Sequence, residues 1–196
     1  MLKIFTAAIY SLVFSQCFYA QSVAFTFDDG PHTKETPLPS PKARNQAMLD
    51  ALAKHKVSAA LFVTVNNGAN TTEGLAFAKA WGDADHAIGN HTMSRIDLNS
   101  KDIILAQYSQ EILDCDKVIS TLPGYQKSSR FTFLHEGNTP KKRDGTRKFL
   151  KEQNYRDAYV SLDTSDWALD QKLTDTLSKN PKADLSTIKR LYLEHI

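Results

Sequence analysis

Two adjacent carboxylates, Asp28 and Asp29, follow the apolar run Val23-Ala24-Phe25-Thr26-Phe27 and precede Gly30-Pro31-His32. The run reads as a short strand, and Gly30-Pro31 as the turn that carries the chain away from it. Neighbouring acids at a strand end repel each other unless a cation or a proton lies between them. Such a pair suits a divided task, in which one carboxylate binds a metal and the other serves as general base. Taken alone, the tripeptide equally describes a turn whose Asp side chains hydrogen-bond their own backbone. Further along, Asn90-His91-Thr92 offers an imidazole that is either a metal ligand or a structural histidine. Arg130 offers a permanently charged fork that could hold a carboxylate, or an ordinary ion-paired arginine. Asp163-Thr164-Ser165-Asp166-Trp167 is a second acidic cluster. Asp166 could orient Arg130, and Trp167 could wall a sugar ring or fill a core.

These residues need elements that bring them together. Ser40-Pro41 reads as an N-cap with proline at the first helical position, and the stripe Met48, Leu49, Leu52 and Ala53 predicts a helix towards Lys56. Ala59 to Val65 predicts a buried strand, broken at Asn67-Gly68. Leu75 to Trp81 predicts a helix, and Ala87-Ile88-Gly89 a third, very short strand. Ser100 caps the longest predicted helix, Lys101 to Leu122, which stops at Pro123-Gly124. Phe131 to Leu134 is the fourth predicted strand, and Thr139-Pro140 opens a helix to about Gln153. Ala158 to Leu162 is the fifth strand, and Ser186 caps a last helix that still runs at Ile196. This alternation, without repeat or linker, predicts one α/β domain with a parallel sheet or barrel. In such folds chemistry gathers at the C-terminal ends of strands, where Asp28, Asp29, His91 and Asp166 all fall.

The composition of the 196 residues, 41% hydrophobic and 23% charged, is that of a soluble globular domain with a real core. A net charge of +2, with no basic stripe interleaved with aromatics, argues against nucleic acid as a partner. Lys3 followed by the uncharged, largely apolar Ile4 to Tyr19 reads as a secretory signal peptide over residues 1–20, so a secreted or periplasmic location is expected. The segment is too short for a stable membrane span. Cys17 falls within it, which leaves Cys115 in the helical stripe of Ile104, Tyr108, Ile112, Ile119 and Leu122 as a core residue. No disulfide and no protein partner is expected.

Together, Thr26-Phe27-Asp28-Asp29-Gly30, Gly89-Asn90-His91-Thr92, Arg130 and Asp163 to Trp167 resemble, in order and spacing, the polysaccharide deacetylases of carbohydrate esterase family four (the NodB-type domain). The resemblance runs from about Val23 to Trp167. It implies a distorted (β/α) barrel of the glycoside hydrolase/deacetylase type over residues 21–196, and metal-dependent N-deacetylation of an acetylated polysaccharide or oligosaccharide. By the same resemblance Asp28 is the general base, and Asp29 and His91 hold a divalent metal, usually zinc. Arg130 tethers Asp28, Asp166 supports Arg130, and Trp167 lines the substrate groove. The partner implied is an N-acetylated glycan.

Three positions depart from the family pattern. Arg95 stands four residues after His91, where the family places a second histidine that faces the same metal. A guanidinium has no lone pair to give, and His86 or Asp97 could take its place as a ligand. Thr132 stands where the third motif has proline. Leu193-Glu194-His195 carries the letters of the final Leu-x-His motif, whose histidine serves as general acid on a late strand, but Ile188, Leu191, Tyr192 and His195 follow helical spacing. The expectation is therefore a barrel incomplete at its C-terminus. A non-catalytic remnant or carbohydrate-binding module is the alternative function.

Overall fold

Five short parallel strands form one sheet in sequence order, β1 (Phe25–Gly30), β2 (Ala59–Val63), β3 (Ala87–Asn90), β4 (Tyr125–Ser129) and β5 (Arg156–Asp157). The computed structural model describes residues 22–195, so the expected signal peptide lies outside the described residues. Helices α1 (Pro41–His55), α2 (Thr72–Asp83), α3 (Leu105–Ile119) and α4 (Pro140–Glu152) occupy the crossovers between successive strands. Helices α5 (Asp166–Lys179) and α6 (Ser186–His195) follow β5. Each strand pairs with the next in the chain, as repeated βα units dictate, and among the described residues β1 and β5 are the two edges.

Local chemistry sets most element boundaries. The hydroxyl of Ser40 accepts from the Ala43 N–H at 3.3 Å, and that of Thr139 accepts from the Lys142 N–H at 3.3 Å; both helices carry proline in the first turn. Thr71 caps α2 in the same way, on the Gly74 N–H at 3.0 Å. The core packs between sheet and helices in two groups. Leu49, Leu61, Val63, Trp81, Ile88 and Ile119 form the first, with Cys115 fully buried among them. The second is built on Leu98, Tyr108, Phe131 and Leu150, with the Tyr108 and Phe131 rings stacked at 6.0 Å. Trp81 buries its ring and still donates its indole N–H to Asn45 at 2.9 Å.

Several expected elements fall elsewhere. The third long helix starts at Leu105, because residues 97–104 form a separate held loop. There the Lys142 ammonium donates to the Leu98 and Ser100 carbonyls at 3.0 and 2.6 Å, and the Ser100 hydroxyl accepts from Asp102 instead of capping a helix. Gln107 does the capping work, accepting from the Ile104 N–H at 2.9 Å. The expected strand Phe131 to Leu134 is instead a 3₁₀ turn over Thr132–Leu134, since Phe133 and Leu134 hold left-handed backbone angles (φ 57 and 56) that no strand accommodates. The fourth strand is the polar Tyr125–Ser129, and the fifth is the two-residue Arg156–Asp157, ahead of the expected Ala158 to Leu162, none of which is strand. Helix α5 begins inside the acidic cluster, at Asp166, without having been expected, and His195 lies in helix α6, as its spacing foretold.

Gly82, near the end of α2, is pressed against the loop before β4. A Cβ there would lie 1.9 Å from the Pro123 carbonyl oxygen, a backbone atom that cannot turn aside. Alanine gains about 1 kcal/mol of helix propensity over glycine, whereas overpacking a fixed backbone contact costs about 1–3 kcal/mol or more. Gly82→Ala is therefore expected to lower the unfolding free energy in urea by about 2 kcal/mol, and an unchanged or raised value would contradict this packing.

Candidate active site

In a regular strand, successive side chains point to opposite faces, and Asp28 and Asp29 could not share a centre. Two local features change that. The β1–β2 register shifts between Phe27 and Gly30, and Asp29 adopts a left-handed conformation (φ 63). Both carboxylates then face the imidazole at the end of β3, with His91 Nε2 at 3.9 Å from Asp28 Oδ2 and 3.7 Å from Asp29 Oδ1. The backbone carbonyl of Asp29 accepts from the Asn67 side chain at 2.8 Å, which fixes the turn.

His91 is 2% exposed and held from several sides. Its N–H donates to the Val63 carbonyl at 2.9 Å, and Asn90 beside it bonds the Ile112 carbonyl and the Thr92 N–H. Its Nδ1 lies 3.0 Å from the Arg130 carbonyl oxygen. A carbonyl can only accept, so Nδ1 carries the proton and Nε2 turns its lone pair to the two aspartates. Burial keeps the imidazole below its ordinary pKa, which favours this neutral form.

Arg130 follows β4 and is 4% exposed. Its Nη1 donates to Asp28 Oδ1 at 2.6 Å and to the Thr26 hydroxyl at 2.7 Å, and its Nε donates to the Ala158 carbonyl at 3.0 Å. The guanidinium lies 4.0 Å from the centroid of the Phe62 ring. Glycine at position 89 makes room for that ring, since a Cβ there would meet Phe62 at 2.5 Å. Asp28 is thus clamped through one oxygen, while the other faces the open centre.

Arg95 reaches the same centre. Its Nε donates to Asp29 Oδ1 at 2.6 Å, and its guanidinium lies 4.1 Å over the Phe133 ring. The Thr64 hydroxyl is 3.4 Å from the same Asp29 oxygen. Asp29 therefore has Arg95 as Asp28 has Arg130, and the two acids are balanced by two permanent cations.

The structure brings together Asp28, Asp29, His91 and Arg130, and adds Arg95. It does not bring in Asp166. Arg130 spends its hydrogen bonds on Thr26, Asp28 and Ala158, so a backbone carbonyl after β5 does the work expected of Asp166. Asp166 instead opens helix α5, and Trp167 beside it is 71% exposed. Neither His86 nor Asp97 makes up for Arg95. Asp97 pairs with His135 Nδ1 at 2.9 Å, and His86 Nδ1 accepts from the Ala59 N–H at 3.4 Å. Phe62, Thr64 and Asn67 escaped the sequence reading. For Thr64 the available signal was its place at the C-terminal end of a buried strand.

A resident divalent metal does not fit these residues as they stand. Catalytic zinc takes three protein donors, and this centre offers Asp29 and His91. The Asp29 oxygen that faces His91 already accepts from a guanidinium. Among the described residues, no group of three or more His, Cys, Asp or Glu is arranged to hold a metal ion.

With this geometry established, comparison with known proteins is informative. The chain is 30% identical over 158 residues to a peptidoglycan-N-acetylglucosamine deacetylase of Bacillus cereus, covering 81% of this chain and 50% of that one. It is 26% identical over 161 residues to a chitin deacetylase of Arthroderma benhamiae, covering 81% of this chain and 38% of that one. The chain thus spans about half or less of the length of these curated relatives. The crystal structure of a peptidoglycan N-acetylglucosamine deacetylase superposes with a TM-score of 0.59 at 26% identity, over 88% of this chain and 66% of that chain. The family model described as polysaccharide deacetylase matches residues 15–156, from ahead of the Asp28–Asp29 turn to the start of β5, and the chain belongs to that family.

Proposed function

We propose that this centre hydrolyses the N-acetyl group of an acetylated polysaccharide or oligosaccharide, with Asp28 as general base. The observation that carries the reading is the asymmetric hold on Asp28, with Oδ1 fixed by Arg130, whose Nη1 is itself placed by the Thr26 hydroxyl, and Oδ2 directed at the open centre beside His91. A carboxylate held in this way keeps its second oxygen aimed at a water molecule. Asp28 takes a proton from that water as its oxygen bonds to the acetamide carbon. The carbon–nitrogen bond then breaks, acetate leaves, and the proton on Asp28 passes to the departing sugar amine. The relatives' names support an N-acetylated glycan as substrate. The signal-like segment at residues 1–20 supports a place of action outside the cytoplasm. No helix among the described residues is long and apolar enough to cross a membrane.

Deacetylases of this family generally depend on a divalent metal, with zinc on Asp29 and His91 as the arrangement the motifs imply. The Arg95–Asp29 pair opposes that arrangement here and favours a second reading, a glycan-binding module that keeps the groove without the chemistry.

Acetate release from N-acetylglucosamine oligomers and from peptidoglycan distinguishes the two. Asp28→Asn is expected to reduce release by about 10²–10⁴-fold, the range for loss of a general base. Equal release by Asp28→Asn and the wild-type chain would remove Asp28 from the reaction. Glycan binding without any release, unaltered by Asp28→Asn and by chelator, would establish the second reading.

Arg130→Met tests the clamp itself. Removing one partner of a largely buried ion pair costs about 3 kcal/mol, because the other charge is left without compensation. The urea midpoint is expected to fall accordingly, and a change within about 0.5 kcal/mol, the level of a neutral surface substitution, would show that Arg130 does not organise the site.

A further inference from the structure

We infer that Arg95 is an internal cation standing in the metal position of this site, so that the wild-type chain binds no divalent metal through Asp29 and His91. The inference rests on reading this centre as the deacetylase site.

Asp29 and His91 would hold a metal chiefly through the carboxylate oxygen that faces the imidazole, which lies 3.7 Å from Nε2. The Arg95 Nε–H is directed at that same oxygen from 2.6 Å. A guanidinium stays protonated and has no lone pair, so it competes with a metal for Asp29 without being able to join it as a ligand. Its charge also completes the local balance. Arg130 neutralises Asp28 and Arg95 neutralises Asp29, so a divalent ion would enter a site with no negative charge left to offset it.

The arrangement is built into the backbone. Arg95 holds a left-handed conformation (φ 60), and its N–H donates to the Thr92 hydroxyl at 3.1 Å. The Phe133 ring supports the guanidinium from one side, on a residue that is itself left-handed (φ 57). Two non-glycine residues in this sparsely populated region lie next to one another in space at the site, a pattern that marks functional constraint. Histidine is among the residue types that accept a left-handed backbone more readily. Arg95→His therefore removes the competing charge and supplies a third donor from the same backbone position, completing the donor count of a catalytic zinc site.

The test is zinc binding, by calorimetric titration and by metal content after dialysis. It is run on the full chain, on Asp29→Asn, on Arg95→His and on the double variant. The wild-type chain is expected to retain no stoichiometric zinc, and Asp29→Asn to change nothing. Arg95→His is expected to take up one zinc per chain, at least about 100-fold more tightly than wild type, and to lose it in the double variant. Two results overturn the inference. One is stoichiometric zinc on the wild-type chain that Asp29→Asn abolishes; the other is Arg95→His that melts cooperatively and binds zinc no better than wild type. Should Arg95→His fail to fold, the wild-type and Asp29→Asn arms decide alone. Acetate release enters none of these readouts, so failure of the hydrolytic reading leaves them unaffected.

Discussion

Two carboxylates on consecutive residues must face one point without driving each other apart, and the site is arranged around that constraint. A regular strand would place them on opposite faces. The bulge and the left-handed Asp29 bring them to one side, and the repulsion this creates is met by one arginine for each acid. Arg130 and Arg95 differ in origin and setting. Arg130 is buried at the end of β4 and tied to the sheet through the Ala158 carbonyl and the Phe62 ring. Arg95 comes from the loop after β3, with more than a third of its side chain exposed, and rests on Phe133.

The rest of the sheet fixes these charges at the right height. Successive parallel strands end at the same edge, so β1 delivers the aspartates, β2 leads to Thr64, β3 to His91 and β4 to Arg130. The Arg130 N–H donates to the Asn90 carbonyl, and His91 Nδ1 donates to the Arg130 carbonyl, so imidazole and guanidinium positions are set by one another. The loop after β5 contributes only a backbone carbonyl. This coupling gives the site rigidity where chemistry needs it, since each charged group is oriented by partners whose own positions the sheet dictates.

Beside Asp29, the Arg95 guanidinium bears on the electrostatics of the site more than on its architecture. It supplies positive charge beside Asp29 but no vacant coordination position and no lone pair. Arg130 holds Asp28 and Thr26 together through one nitrogen, independently of Arg95. The Phe133 ring and the Thr92 hydroxyl give Arg95 its own support.

The sequence by itself determined the alternation of strands and helices, the capped starts of α1 and α4, the helical setting of His195, and the identity of Asp28, Asp29, His91 and Arg130 as a group. These were legible because they rest on periodicity, on cap chemistry and on ordered motifs, all of which are local. Arg95 was recognisable as a departure, but its pairing with Asp29 was not. That contact joins residues 66 positions apart, and only the convergence of strand ends creates it. Tertiary structure alone decided that the polar Tyr125–Ser129 is a strand, since pairing with β3 overrides its weak apolar pattern. It also decided that the apolar Phe131 to Leu134 is not one, because Phe133 and Leu134 are left-handed and the Phe133 ring lies beneath Arg95. The same holds for the partner of Arg130. Side-chain identity suggested Asp166, but the donor found a backbone carbonyl, which every residue carries and no sequence distinguishes.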